Sequence, residues 1–276
     1  MAPTAVMING LPGNMAACVV RHALADARFS VVPFSLTGPE ISATETIADE
    51  FKVALIHPDR REIEIQPVIE AFGPFISVDF THPSAVTTNA EFYCRFRLPF
   101  VMGTTGGDRE RLQATVSAAG PAAVIAPNMG KQIVGFQAMM AWAAETFPGL
   151  FSGYRLSVRE SHQQGKADTS GTARAMLGYF RELGAPLADE EIQMERDPAV
   201  QREQWGVPEV HLKGHGWHTY TLDSADGSVR FAFTHNVNGR DIYALGTLDA
   251  VAYLAAKIRQ GRPARVYSMI DVLKGS

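Results

Sequence analysis

The chain has 276 residues, 46% of them hydrophobic and 20% charged, with a formal net charge of -4. That length suits two modest domains, and the composition describes a packed globular interior rather than a disordered segment. Lysine and arginine are spread along the chain, which argues against nucleic acid as a partner, and no apolar run approaches the roughly 18 residues that cross a bilayer.

The first apolar run, Ala5-Val6-Met7-Ile8-Asn9, closes on Gly10 and predicts a buried strand. No basic stretch and signal-type core precede it, so the expected setting is cytoplasmic and reducing. Cys18 and Cys94 are too far apart for a metal motif and read as small core residues. Residues 15–27 predict a helix, and residues 29–34 a second strand.

Between the first strand and its helix the turn reads Gly10-Leu11-Pro12-Gly13-Asn14-Met15-Ala16. A glycine at the strand end permits the tight turn, and Gly13 lets the backbone approach a pyrophosphate. The N–H groups of the next helix then face the negative charge. Alone, such a turn divides evenly between a ligand site and a simple connection; its place at the start of a β-α-β unit favours the ligand.

After the second strand, Phe34-Ser35-Leu36-Thr37-Gly38 lacks both the carboxylate of an NAD-type site and the arginine of an NADP-type one. Hydroxyls at Ser35 and Thr37 can donate to a 2′-phosphate, which tilts the expectation from NADH towards NADPH. The plainer reading is two turn residues.

Strand-like runs recur at residues 53–56, 75–80, 99–102 and 122–126. Three lead into Asp79-Phe80-Thr81-His82, Gly103-Thr104-Thr105-Gly106-Gly107 and Pro127-Asn128-Met129-Gly130. In a parallel sheet these are loops at the carboxyl ends of strands, where ligands bind. The pattern changes near Lys131. Residues 132–147 predict a helix, with its methionines and Trp142 in the core, and residues 153–161 a strand.

That strand runs into Glu160-Ser161-His162-Gln163-Gln164-Gly165-Lys166-Ala167-Asp168-Thr169-Ser170-Gly171-Thr172-Ala173. An anion at the helix start of Ser170-Gly171-Thr172 meets unpaired N–H groups and the positive end of the helix dipole. Lys166 adds a charge, and His162 exchanges a proton near neutral pH. Singly, these are better read as a cap, a solvated lysine and a surface histidine. Together they suit a reduction in which hydride addition leaves an atom needing a proton.

In the helix that follows, Ala173, Met176, Leu177 and Phe180 share one face. Residues 189–208 are polar, a loop or short helix. Residues 215–222 and 229–235 predict antiparallel strands joined at Asp226-Gly227. His215 and His218, three apart on a strand, fall on opposite faces, so no metal pair is expected. Arg240 is placed either to reach a carboxylate or to form a structural ion pair. Residues 242–259 predict a long helix and 266–273 a short closing element. The expected fold is α/β: an N-terminal Rossmann-like doubly wound parallel sheet over residues 1–130, to which 240–276 return, and an α+β domain over 131–239 for substrate binding and oligomerisation.

The segment E-S-H-Q-Q-G-K-A-D-T-S-G-T-A resembles the signature of the 4-hydroxy-tetrahydrodipicolinate (dihydrodipicolinate) reductases of lysine biosynthesis: a histidine, a lysine four residues on, then S-G-T. G-L-P-G-N-M, G-T-T-G, A-P-N-M and H-N-V-N-G-R correspond in order and span nearly the whole chain. The H-Q pair and the D-T-S-G-T spelling are closer to the plant-type branch. The resemblance implies NADPH or NADH held by Gly10, Leu11, Pro12, Gly13, Asn14 and Met15, by Gly103, Thr104 and Thr105, and by Ala126, Pro127, Asn128 and Met129. Phe80 is placed with them.

It also implies proton transfer by His162 and Lys166, and a substrate carboxylate gripped by Ser170, Gly171 and Thr172. Gln163, where many bacterial members have a second histidine, and Arg240 are further substrate contacts. A homotetramer through the second domain's sheet is implied, with the strands around Trp217 and Phe231 as candidates for the interface. Two other readings share these features: another Rossmann reductase of a small dicarboxylate, and a dinucleotide-sensing module without turnover.

Overall fold

The computed structural model describes residues 2–166, 169–262 and 265–275, so Ala167 and Asp168 of the signature segment lie outside the described residues. The chain divides into two units, Met1–Val134 with Asp241–Ser276, and Gly135–Arg240.

The first unit opens with β1 (Thr4–Asn9). Val6 and Ile8 pack into one core and Met7 into another, all fully buried, because successive side chains point to opposite faces of a sheet covered on both. α1 (Asn14–Leu24) leads to β2 (Phe29–Val31), which pairs parallel with β1. The single strand expected over residues 29–34 is two. Pro33 has no N–H for a ladder, and the chain leaves the main sheet there. β3 (Phe34–Leu36) instead joins β4 (Glu45–Ala48) and β5 (Phe51–Ile56) in a three-stranded sheet.

α2 (Arg61–Phe72), β6 (Ile76–Asp79), α3 (Val86–Arg95), β7 (Phe100–Met102), α4 (Arg109–Ala119) and β8 (Ala123–Ile125) follow. α5 (Lys131–Thr146) carries the chain into the second unit.

The second unit contains β9 (Arg155–His162), α6 (Gly171–Glu182), β10 (Gln193–Glu195), α7 (Pro198–Glu203), β11 (His215–Asp223) and β12 (Arg230–Asn238). Its sheet runs β10-β9-β11-β12, with β10 parallel to β9 and the other pairs antiparallel. The predicted stripe of α6 packs on Leu156, Val158, Tyr220 and Leu222 of this sheet. Trp217 and Thr219 project from the opposite face, alternating with buried His218 and Tyr220. Phe231, opposite Leu222 in the ladder, sits with Phe151 and Tyr154, so Trp217 and Phe231 belong to different faces. Trp142 and Met139 are not core: they are 60% and 63% exposed. α5 is apolar nearly all round and buries only part of its circumference, through Met140 and Ala144 among others.

The chain then returns to the first unit through α8 (Asp241–Arg259), β13 (Val266–Tyr267) and α9 (Met269–Lys274). The six-stranded sheet β13-β8-β7-β6-β1-β2 is parallel throughout, with α1, α8 and α9 packed on one face and α2, α3 and α4 on the other. This is the doubly wound arrangement expected. Gly246 lies so close to the Met129 carbonyl that a Cβ there would overlap it, and α8 thereby seats the loop after β8. No helix among the described residues is long and apolar enough to cross a membrane.

Candidate functional site

In the first unit the loops after β1, β6 and β7 close on one another because two of them lack side chains at the contact. Gly10, at φ +107°, would drive a Cβ into the Phe80 carbonyl, and Gly103 would drive one into the Phe80 ring. The Gly13 N–H donates to the Gly10 carbonyl at 2.8 Å, and a Cβ on Gly13 would stand 2.7 Å from that oxygen. Gly13 caps α1 without a side-chain bond, so the first-turn amides of Asn14, Met15 and Ala16 have no intrahelical partner. A pyrophosphate suits this cradle: Gly10 and Gly13 bring no side chain to it, and the dipole and free N–H groups favour an anion.

Beneath the cradle lies a polar network that the sequence reading passed over. Asp79 is fully buried at the end of β6. Its Oδ1 accepts from the Thr104 hydroxyl (2.6 Å), the Thr81 hydroxyl (2.8 Å) and the Thr81 amide (3.1 Å); its Oδ2 accepts from Tyr93 (2.7 Å) and Asn89 (3.0 Å). Asn9 donates to the Tyr93 oxygen (3.1 Å) and accepts from the Leu36 amide (2.9 Å). Burial and the Asp79 charge push the Tyr93 hydroxyl well above its ordinary value, so it remains a donor. One carboxylate therefore ties together the ends of β1, β3, β6 and β7.

Ser35 and Thr37 belong to this scaffold and do not await a 2′-phosphate. Ser35 Oγ accepts from the Leu11 amide (3.2 Å) and donates to the Leu36 carbonyl (3.1 Å), while Thr37 Oγ1 donates to the Leu11 carbonyl (2.8 Å). Both hydroxyls are buried and already have acceptors. Leu11 and Met129 place their side chains in the core, leaving only backbone for a ligand, and the Leu11 amide is already bonded. Thr105 and Pro127 are exposed, and Asn128 Oδ1 accepts from the Gly130 amide at 2.8 Å.

In the second unit β9 delivers Glu160 and His162 beside the start of α6. Ser170 caps that helix, its Oγ accepting from the Ala173 amide at 3.0 Å. Fully buried Glu160 meets Arg196 at 2.5 Å through Oε1 and the Ser170 amide at 3.2 Å through Oε2. Burial alone would raise the Glu160 carboxyl, but the neighbouring His218 ring and hydrogen bonds from Arg196 and the Ser170 amide outweigh it and bring it down to about 2.

His162 Nδ1 lies 3.1 Å from the His215 carbonyl, and its Nε2 lies 3.3 Å from His218 Nε2. Burial first, then the neighbouring His218, lowers His162 to about 4, so the ring is neutral at neutral pH. Gly216 stands opposite it in the ladder, where a Cβ would press on the ring at 2.9 Å. His218 Nε2 is also 2.7 Å from Ser170 Oγ and 3.6 Å from Glu160 Oε2. His218 stacks on His235 at 4.6 Å. Among the described residues, both ring nitrogens of His235, His218 Nδ1 and the Tyr220 hydroxyl find no hydrogen-bond partner.

Lys166 closes a turn, its amide donating to the Gln163 carbonyl at 3.0 Å, and its own carbonyl accepts from Arg196 at 2.8 Å. Gly165 and Gly171 have open space where a Cβ would stand, and Thr172 is half-buried at the same helix start. The Arg240 guanidinium lies against Gly214, at the entry to β11. The expected residues thus form two groups, each within one unit: Gly10–Met15 with Phe80, Gly103 and Thr104, and His162, Gln163, Lys166 with Ser170–Thr172.

The sequence reading missed His218 and Glu160 because the ladder, not the spacing, brings them together. His218 pairs with Glu160 on one side and with His235 on the other, a row across three strands. Glu160, His162 and His218 present ligand-type atoms within 4.8 Å of one another, but the Glu160 carboxylate already has its cation in Arg196.

The family model for the dihydrodipicolinate reductase N-terminus matches residues 4–129, and that for the C-terminus matches residues 133–273. A 4-hydroxy-tetrahydrodipicolinate reductase 1 of Arabidopsis thaliana is 49% identical over 98% of this chain and 77% of its own. A probable 4-hydroxy-tetrahydrodipicolinate reductase 2 of Oryza sativa subsp. japonica is 44% identical over 98% of this chain and 82% of its own. Both are chloroplastic proteins by name, which overturns the cytoplasmic setting expected from the residues ahead of the first strand. A dipicolinate-bound dihydrodipicolinate reductase from Paenisporosarcina sp. TG-14 superposes with a TM-score of 0.65 over 96% of this chain and 97% of that one. At 16% identity it speaks for the fold. With family models matched on both sides of residue 130 and half the residues shared with a plant reductase, the chain belongs to the dihydrodipicolinate reductase family.

Proposed function

We propose that the chain reduces dihydrodipicolinate, formed from 4-hydroxy-tetrahydrodipicolinate, to tetrahydrodipicolinate with a reduced nicotinamide dinucleotide, in the diaminopimelate route to lysine. The observation that carries this is the start of α6, where Ser170 caps the helix beside Glu160, His162 and His218, in a chain matched by the reductase family from residue 4 to 273. When bound, the dinucleotide supplies the hydride. The first-turn amides of α1, Asn14 to Ala16, hold its pyrophosphate, and Phe80 with the Gly103–Thr105 backbone lines its nicotinamide end.

Gly171, Thr172 and the Ser170 hydroxyl bind a substrate carboxylate at the α6 start, with Gln163 and Arg240 as further contacts. Hydride addition to the unsaturated ring must be matched by one proton. We assign it to the Lys166 ammonium. His162 has both ring nitrogens directed at protein partners and is neutral, so it holds the pocket rather than supplying the proton. The half-covered sheet face bearing Trp217 and Thr219 is the surface we assign to a homotetramer, since a strand face whose aromatic residue is only half-buried gains from further cover.

The cofactor preference rests on a carboxylate rather than on the two hydroxyls after the second strand. Ser35 and Thr37 are committed to the fold, and the Glu40 carboxylate folds back onto Gly38, two residues beyond β3. A carboxylate near the end of the second strand accepts from ribose hydroxyls and repels a 2′-phosphate. We therefore read NADH as at least as good a reductant as NADPH for this chain. Purified protein, given each dinucleotide and enzymatically generated substrate, tests both statements. Oxidation only when the dicarboxylate is present is the expected result. Cofactor binding without turnover would instead mark a sensing module, and a large preference for NADPH would remove the role of Glu40.

A further inference from the structure

The row Glu160, His218, His235 runs across β9, β11 and β12, and its middle member lies beside Ser170 Oγ, His162 Nε2 and Glu160 Oε2 at the α6 start. The proton positions in this cluster follow from their neighbours. The His215 carbonyl can only accept, so His162 carries its hydrogen on Nδ1, 3.1 Å away. A neutral His162 then presents a lone pair at Nε2. That lone pair and the Glu160 carboxylate both face His218 Nε2, at 3.3 Å and 3.6 Å.

An Nε2 flanked by two acceptors carries a hydrogen. The far side of the ring agrees: His218 Nδ1 is buried with no partner among the described residues. An unmatched lone pair there is tolerated better than an unmatched N–H. The shortest contact of the His218 N–H is Ser170 Oγ, at 2.7 Å. Ser170 Oγ also accepts from the Ala173 amide at 3.0 Å. A hydroxyl has two acceptor positions and one proton. Both acceptor positions are filled, so the proton is the part of Ser170 left to give away.

We propose that His218 is a positioning residue: its Nε2 hydrogen fixes Ser170 so that the serine hydroxyl is a donor to a substrate carboxylate, and holds His162 in the Nδ1–H form. This rests on the reduction proposed above, because the carboxylate is that of its substrate. The arrangement distinguishes His218 from a packing residue. An apolar ring of the same shape would fill the space and leave Ser170 free to turn its proton inward, towards the Glu160 carboxylate.

The experiment compares His218→Gln, which keeps an N–H near the Nε2 position, with His218→Asn, which places its amide nearer Nδ1, and with His218→Leu. His218→Asn and His218→Leu raise the KM for the dicarboxylate by roughly tenfold to a hundredfold, the value of one hydrogen bond to a charged group, while the KM for the dinucleotide stays put. His218→Gln retains a KM within about threefold of the parent. Equal losses in Gln and Asn variants, or a dinucleotide KM that rises in step, overturn the proposal in favour of packing.

A second readout needs neither turnover nor a folded Leu variant. Nitrogen chemical shifts of the ring in the resting parent protein report the tautomer of His162, and the proposal requires hydrogen on Nδ1. Hydrogen on Nε2 overturns it even if the enzyme is active. Should the parent protein fail to oxidise the dinucleotide with the dicarboxylate present, the reduction itself is refuted. The tautomer and its response to His218→Asn then still decide whether His218 organises the cluster.

Discussion

Two buried carboxylates, Asp79 in the first unit and Glu160 in the second, sit at the ends of strands beneath the two groups of site residues, and their surroundings differ. Around Asp79 the polar atoms close on each other: five donors reach its two oxygens, and Asn9, Asn89 and Tyr93 each have partners. Around Glu160 the cluster is open. His218 Nδ1, both nitrogens of His235, the Tyr220 hydroxyl and Gln201 Oε1 are buried without partners among the described residues. Buried polar groups are nearly always satisfied in folded proteins, and the exceptions gather where a site keeps strain or bonding capacity in reserve. In the function proposed above, the first network is scaffold for a ligand held by backbone, and the second is where side chains would meet a reacting molecule.

The largest expected effect tests that division at the residue assigned the proton. Lys166→Ala should lower kcat by about a hundredfold to ten-thousandfold, the range for a lost general acid, with dinucleotide affinity unchanged. Equal losses in turnover and in dinucleotide binding would show that the lysine serves the cofactor instead. Asp79→Ala should do the converse. It strands the donors of Tyr93, Asn89, Thr81 and Thr104, and breaking such a buried set costs about 3–5 kcal/mol. Denaturant unfolding should show that loss together with weaker dinucleotide binding. A stable Asp79→Ala protein with normal dinucleotide affinity would remove the scaffold role.

Acid sharpens the contrast further. The folded-state values of His162, about 4, and of Glu160, about 2, lie below their ordinary ones near 6.5 and 4.5. For both, the stabilising contribution is full above the ordinary value and is lost as pH falls towards the folded one. The second unit should therefore weaken first between about pH 6.5 and 4 through His162, and again from about 4.5 towards 2 through Glu160, by on the order of 3 kcal/mol at each step. Amide exchange measured across this range should show β9 and β11 losing protection before β1 and β6. Simultaneous loss in both sheets would contradict it.

What the residue pattern could reveal follows the same line. The doubly wound sheet was legible because its strands are short apolar runs ending in glycine or polar loops, and the α6 stripe because Ala173, Met176, Leu177 and Phe180 repeat at helical spacing. The backbone cradle at Gly10 and Gly13 was legible for the same local reason. Ser35 and Thr37 misled because a hydroxyl at a strand end looks the same whether it faces solvent or, as here, the Leu11 and Leu36 backbone. His218 was invisible because strand register is a property of pairs: nothing near residue 218 states that Glu160 and His235 lie beside it. Trp142 was misassigned because an apolar helix does not announce how much of its circumference its neighbours cover.

The smallest expected effect falls on the least satisfied residue. The His235 ring is packed against Phe136 and stacked on His218, and its nitrogens have no partner among the described residues. Burial and His218 lower it to about 4, so it is neutral and one nitrogen carries a hydrogen with nowhere to go. A phenylalanine there keeps the ring contacts and removes the unsatisfied N–H, whose burial costs about 1–3 kcal/mol. After allowance for the larger ring, His235→Phe should raise unfolding stability by about 1 kcal/mol, read from the denaturant midpoint at constant slope. Destabilisation instead would mean that the working protein gives His235 a partner, and the cluster around Glu160 would then be as closed as the one around Asp79.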